Sequence, residues 1–108
     1  MTYIIVYVTT KDAEEASRIG EALVKERLAA CANVIPSINS VYWWKGRLER
    51  DSEAVLLLKS TRDNAEGIIE RVRELHSYGV PCIDVISLSG GNQEYFKWLE
   101  GTLGKGGR

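Results

Sequence analysis

The hydrophobic and polar positions of this chain change period several times along its length. Residues 3–9, YIIVYVT, are rich in β-branched and aromatic side chains and predict a buried strand. From Asp12 the period becomes helical. Ala16, Ile19, Gly20, Leu23 and Val24 fall on one side, and Glu14, Arg18, Glu21 and Lys25 on the other. Asp12 and Glu15 have the spacing of a capping box, with aspartate in place of the usual serine or threonine. Residues 31–44 predict a second strand, bent or bulged at Pro36 because proline brings no N–H to a ladder. Lys45-Gly46 predicts a tight turn. The return strand runs to Lys59, and its segment 55–58, VLLL, is apolar on both faces, as expected of a strand covered on both sides. A second helix begins near Asp63, again with acid-x-x-Glu spacing to Glu66. It carries Ile68, Ile69, Val72 and Leu75 as its apolar stripe and ends around His76. Residues 81–88, PCIDVISL, predict a buried strand. Gly90-Gly91 then break the chain, Asn92 caps, and Phe96, Leu99 and Leu103 mark a short last helix.

This order, β-α-β-β-α-β-α, predicts an α+β fold. Two crossover units interleave through a central hairpin to give a ferredoxin-like βαββαβ sandwich with a long central β-hairpin and an extra C-terminal helix. A length of 108 residues suits one domain, spanning residues 1–103, with the glycine-rich residues 104–108 as a flexible tail. The hairpin is too long for so small a sandwich: each arm of about 13 residues reaches roughly 40 Å at strand rise. It ends in Tyr42-Trp43-Trp44, and adjacent tryptophans on a strand must face opposite ways. A long aromatic edge on a lone chain invites association, so the hairpin predicts a homo-oligomer.

Charge and composition narrow the classes. A net charge of −1 offers no basic excess to neutralise phosphates, so no nucleic acid is expected as a partner. No apolar run approaches the roughly 20 residues needed to span a bilayer, so no membrane is expected either. The opening MTYIIVYVTTKD lacks a basic start and a small-residue cleavage site, and a cytoplasmic location is expected. Cys31 and Cys82 are not in a C-x-x-C pair, and a cytosolic setting argues against a disulfide between them.

Several blocks together resemble the CutA (divalent-cation tolerance) family: ERLAACANVIP at 26–36, SVYWWKGRLE at 40–49, LLLKST at 56–61, LHSYGVPCI at 75–83 and NQEYFKWLEG at 92–101. The resemblance covers nearly the whole chain in order and spacing. It implies a cytoplasmic homotrimer built by hairpin exchange between edges, a link to tolerance of divalent metal ions or copper, and kinship with trimeric PII signalling proteins. The chain departs from the family pattern HPYEVPE at Ser77, Gly79 and Cys82. Of the positions that the resemblance associates with copper, here Val8, Leu75 and His76, only His76 keeps a ligating side chain.

The candidate chemistry concentrates in LHSYGVPCID, residues 75–84. His76 reads first as a capping imidazole at a helix C-terminus and second as a ligand at a subunit boundary. Cys82 reads as a small buried hydrophobe, or as a thiol within reach of His76 across the turn, a pair suited to copper(I) or zinc. Cys31, between two alanines, reads as core. Lys59 ends the apolar run and either snorkels to water or, as the resemblance favours, points into a cleft as a receptor for a small anion. Tyr42, Trp44 and Tyr78 are candidates for lining the same cleft, with interface packing as the alternative. Glu49, Arg50, Asp51 and Glu53 read as a solvated strand edge.

No catalytic residues are expected. The first loop, Thr9-Thr10-Lys11-Asp12, lacks the arginine of a phosphate-binding hydrolase loop, and EAVLLLKS does not resemble an aromatic RNA-binding strand. The expected function is a non-enzymatic trimer in metal-ion tolerance, with a metal or small anion bound between subunits. The alternative is a PII-like nucleotide sensor, for which Gly90-Gly91 is the one internal glycine pair and lacks basic neighbours.

Overall fold

The computed structural model describes residues 2–104. Strand β1 (Tyr3–Thr10) leads into helix α1 (Ala13–Lys25). The long strands β2 (Cys31–Trp44) and β3 (Arg47–Thr61) follow, then helix α2 (Ala65–Leu75), strand β4 (Ile83–Ser87) and helix α3 (Gln93–Leu103). The four strands form one antiparallel sheet in the order β2-β3-β1-β4. This is the split β-α-β sandwich, with β1 and β3 in the middle. Of the expected tail at 104–108, residues 105–108 lie outside the described residues. Gly104 itself closes α3, its N–H donating to Glu100 O at 2.7 Å.

Strand alternation decides what packs where. The even residues of β1 (Ile4, Val6, Val8) and of β3 (Ala54, Leu56, Leu58) are fully buried with Ala16, Ile19 and Leu23 of α1 and Ile68 and Val72 of α2. Each large aliphatic side chain so buried contributes about 1.5–3 kcal/mol. Gly20 lets α1 approach the sheet: a Cβ there would lie 2.9 Å from Leu56 Cδ1 and 3.0 Å from Ala32 Cβ. The odd residues face the other way, where α3 covers one end of the sheet. Leu99 and Leu103 bury against Ala30, and the Tyr3 ring stacks on Phe96 with centroids 4.0 Å apart. The run 55–58 is thus covered on both sides, Val55 remaining only 2% exposed and Leu57 half-buried.

Two helix starts differ from each other. Asp12 Oδ1 accepts from Glu15 N at 2.8 Å, as the capping-box spacing predicts, but the Glu15 carboxylate reaches back to Lys11 N at 3.0 Å. At the second helix, Asp63 lies in a 3₁₀ turn (Arg62–Asn64) and Asn64 is the cap, its side chain turned to Ser60 and Thr61 instead of the helix. The acid-x-x-Glu spacing of Asp63 and Glu66 therefore does not mark the helix start. The last helix starts as expected, with Asn92 Oδ1 accepting from Glu94 N at 3.0 Å.

The hairpin leaves the body of the sheet. The last β1 pair is Thr10 with Ala54, so β3 from Glu53 back to Arg47 is joined only to β2. Ile35 pairs with Val55 and Ile38 with Glu53, which sets Pro36 and Ser37 together opposite Ala54: the expected bulge. Lys45 (φ 51°) and Gly46 (φ 78°) both take the left-handed conformation at the turn, as a two-residue hairpin loop requires. Because of the bulge, Ser40, Tyr42 and Trp44 share the face of Ile35 and Val55, while Val41, Trp43 and Leu48 face the opposite way. No residue from 38 to 53 is buried, and Trp43 is 73% exposed.

β4 differs from expectation. It spans Ile83–Ser87, pairs only with β1, and has no fully buried residue. As an edge strand it is half-covered: Ile83 and Val85 pack against the core, and Ile86 on the other face is exposed. Cys82 lies just before it and is exposed, not a buried core thiol.

Candidate functional site

A cleft of about 520 Å³ opens where the hairpin leaves the sheet. Its walls come from Thr9 at the end of β1, Ser40, Tyr42 and Trp44 of β2, Glu53 of β3, and the 78–82 loop ahead of β4. Four of the six residues singled out in the sequence meet here: Tyr42, Trp44, Tyr78 and Cys82.

The other two do not line it. Lys59 stands further along β3, paired with Ile5 and Cys31, with Nζ 5.6 Å from the centre of the Tyr95 ring. His76 lies directly beneath the cleft wall, its side chain fully buried. Its Nδ1 accepts from Tyr78 N at 3.0 Å, so Nε2 carries the proton and donates to Thr9 O at 2.7 Å. The helix end is capped by the His76 backbone, whose N–H donates to Val72 O, and not by the imidazole.

Glu15 joins the same cluster. Its carboxylate, 1% exposed, accepts from Lys11 N and from Ser77 N (2.8 Å) and lies 3.6 Å from Arg18 Nη2. Burial pushes the Glu15 carboxyl up. The Lys11 and Ser77 hydrogen bonds more than offset that and hold it below the ordinary glutamate value. The first turn of α1 and the segment after α2 are locked together in this way. His76 and Glu15 hold residues 77 and 78, and Tyr78 is thereby presented to the cleft with its ring 4.8 Å from the imidazole.

Both cleft tyrosines donate to carboxylates. Tyr78 Oη bonds Glu53 Oε2 at 2.7 Å, and the Tyr42 hydroxyl donates to Asp51. Burial and then Glu53 push the Tyr78 hydroxyl well above the ordinary tyrosine value. The Asp51 hydrogen bond, with further acidic neighbours, pushes Tyr42 up to about 12. Cys82 Sγ donates to Asp84 Oδ2 at 3.5 Å. Partial burial of the thiol and the Asp84 charge raise its pKa, so at neutral pH it is a thiol and not a thiolate.

Glu53 is the residue that sequence reading missed: half-buried, it walls the cleft where a solvated edge was expected. The readable signal was the spacing of Asp51 and Glu53, which puts both on one face of β3. Asp51 pairs with Ser40 and so lies diagonal to Tyr42. Thr9, Ser40, Gly79 and Val80 carried no signal that could be read before the strands were paired.

The expected metal donors can now be tested. Val8 is wholly inside the core, Leu75 is apolar, and both His76 nitrogens are engaged, so these three positions do not fit a copper ion. Among the described residues, no group of three or more His, Cys, Asp or Glu side chains could hold a metal ion. The Gly90-Gly91 pair also has a local explanation. A Cβ on Gly91 would lie 2.7 Å from Phe96 Cζ, so that glycine admits the Phe96 ring, and the nucleotide-sensor alternative gains nothing from it.

The fold and sequence are those of known proteins. The family model of the CutA1 divalent ion tolerance protein matches residues 4–102. The divalent-cation tolerance protein CutA of Pyrococcus horikoshii is 45% identical over 96 residues, covering 89% of this chain and 93% of that protein. Its Thermus thermophilus counterpart is 42% identical over 100 residues, covering 93% and 97%. The chain spans little more than half the length of chloroplastic relatives, 56% of the rice protein CutA 1 at 37% identity over 92% of this chain. Among solved structures, CutA1 from Oryza sativa superposes with a TM-score of 0.91 at 36% identity, covering 94% of each chain. The periplasmic divalent cation tolerance protein CutA from Archaeoglobus fulgidus gives 0.91 at 33% identity, covering 94% of this chain and 98% of that one. The chain belongs to the CutA divalent-cation tolerance family.

Proposed function

We propose that this chain acts in divalent-cation tolerance as a non-enzymatic homotrimer with one ligand cleft per protomer at the base of the hairpin, and that the cleft takes cations. One observation carries the second part: Glu53 is the only charged side chain among the lining residues, and Lys59, the expected anion receptor, is not among them. A small anion would meet a carboxylate and two tyrosine hydroxyls already committed as donors to carboxylates.

The two faces of the ribbon support the assembly. Val41, Trp43 and Leu48 form an exposed apolar strip on the face away from the cleft, which a second copy would cover, leaving Tyr42 and Trp44 in place. Cys82 and Asp84 are the donors a soft or borderline divalent ion would use at the far end of the cleft, a third coming from a neighbouring copy. His76 serves in this reading as the residue that positions Tyr78. The cytoplasm is the proposed compartment, since both cysteines are free thiols.

Sedimentation equilibrium at micromolar concentration should give three times the chain mass; a monomer would overturn the assembly. Titration of the intact protein with Zn(II) should show affinity at least tenfold weaker in Cys82→Ser than in the parent. Equal affinity would remove the thiol from the site.

A further inference from the structure

Resting on the reading that the cleft takes cations, we propose that its aromatic end, away from Cys82 and Asp84, takes a small alkylated ammonium ion, held by aromatic faces and a carboxylate, and not a bare metal ion. Three rings wall the cleft, Tyr42, Trp44 and Tyr78, and Glu53 supplies the one negative charge. An aromatic face attracts a cation through its quadrupole, and the attraction is strongest for a weakly hydrated ion that gives up little water on contact. A divalent metal ion is strongly hydrated and wants several oxygen, nitrogen or sulfur ligands, of which the aromatic end has a single carboxylate.

The polar groups of the rings are arranged for such a ligand. Tyr78 and Tyr42 both direct their hydroxyl protons to carboxylates, Glu53 and Asp51, which fixes the rings and leaves neither O–H to meet an anion. Both hydroxyls stay protonated and the rings neutral far above physiological pH. The Trp44 ring already meets an ammonium of this chain: Nζ of Lys45, which is not among the residues lining the cleft, lies 5.7 Å from its centre. A cleft of about 520 Å³ is of the size that holds small organic ligands.

Choline chloride and its neutral carbon isostere, 3,3-dimethylbutan-1-ol, test the proposal by calorimetric titration of the intact protein. The two probes share shape and differ in charge. Choline should bind at least tenfold more tightly than the alcohol. Trp44→Leu, at a half-exposed position that folding does not depend on, should weaken choline roughly tenfold. Tyr78→Phe keeps the ring and should stay within about threefold of the parent, while Glu53→Gln should lose more than Tyr78→Phe does. Equal binding of the two probes, or full choline affinity in Trp44→Leu, overturns the proposal. Zn(II) binding without choline binding overturns it too, while leaving the cation cleft standing. If neither cation binds, the cation-cleft reading falls as well.

Discussion

Strands β2 and β3 pass through two different environments. Within the body of the sheet, β3 lies between helices and carries Leu56 and Leu58 with no exposed surface. Beyond the bulge at Pro36-Ser37, the same two strands form a ribbon in which no residue from 38 to 53 is buried. The ladder continues without interruption to Trp44 and Arg47. Pairing between β2 and β3 is thus the same in both regions; what the ribbon lacks is β1 on the other edge of β3, and side-chain burial. A two-stranded ribbon is marginal on its own, and this one carries two exposed tryptophans, which is the ground for the proposed assembly.

The sharpest way to break that comparison is to make the same kind of change on each side of the bulge. Leu56→Ala should cost about 2–5 kcal/mol, since it leaves a cavity between α1 and the sheet. Trp43→Ser, 73% exposed, should leave the fold of the single chain within about 0.5 kcal/mol. Its effect belongs to assembly: the unfolding midpoint of the parent should rise with protein concentration, and that of Trp43→Ser should not. Urea titrations at two concentrations read both numbers. If the midpoint of Trp43→Ser keeps the parent's concentration dependence, the ribbon is not the assembling surface.

The second comparison sets Glu15 against Glu53, the acid that serves the core against the acid that serves the cleft. Removing the Glu15 charge with Glu15→Gln weakens the hydrogen bonds that the buried carboxylate accepts from Lys11 N and Ser77 N and should cost about 1–3 kcal/mol at pH 7. The pH dependence has a definite sign. The folded carboxyl lies below its ordinary value, so its stabilisation is fully present above the unfolded pKa and is lost as pH falls through the folded one. The gap in unfolding free energy between parent and Glu15→Gln should therefore be constant near neutrality and shrink below the ordinary glutamate range. A gap that stays the same down to pH 3 would mean that the charge contributes nothing. Glu53→Gln should leave the sandwich intact and act on ligand binding.

These pairs also show what could be read from the residues alone. Element order, the Asp12 cap, the Pro36 bulge, the Lys45-Gly46 turn and the last helix all follow from local chemistry, because neighbours within a few residues decide them. The misreadings share a different cause. Cys82 and β4 were expected to be buried because the segment is apolar, but burial on an edge depends on what lies across the sheet, and only β1 does. Asp63 lost the cap to Asn64 because a 3₁₀ turn precedes the helix. The resemblance favoured a cleft position for Lys59 over snorkelling to water, whereas the β1–β3 register puts it five pairs from the Thr10–Ala54 end where the cleft opens. Tyr42, Trp44 and Tyr78 were expected to share a cleft and do line one, yet the acids that bond the two tyrosines, Asp51 and Glu53, were read only as a solvated edge, and Glu53 is half-buried. No local pattern shows that the bulge brings Tyr42 onto the face those acids share.

The smallest expected effect separates exposure from reactivity at the join between sandwich and ribbon. Cys82 is accessible, and accessibility alone would make it an easily alkylated thiol. Its reactivity depends instead on the thiolate fraction, which partial burial of the sulfur and the Asp84 carboxylate both lower. Iodoacetamide should therefore modify Cys82 slowly at pH 8, and the rate should go on rising beyond the pH at which a free cysteine levels off. Asp84→Asn removes one of the two causes and should speed the reaction at fixed pH severalfold, without changing the exposure of the sulfur. Peptide mass spectrometry distinguishes Cys82 from Cys31 in the same digest. Modification at the rate of a model thiol, unaltered by Asp84→Asn, would show that this end of the cleft is open water. The acidic character argued for the cleft would then stop at Glu53.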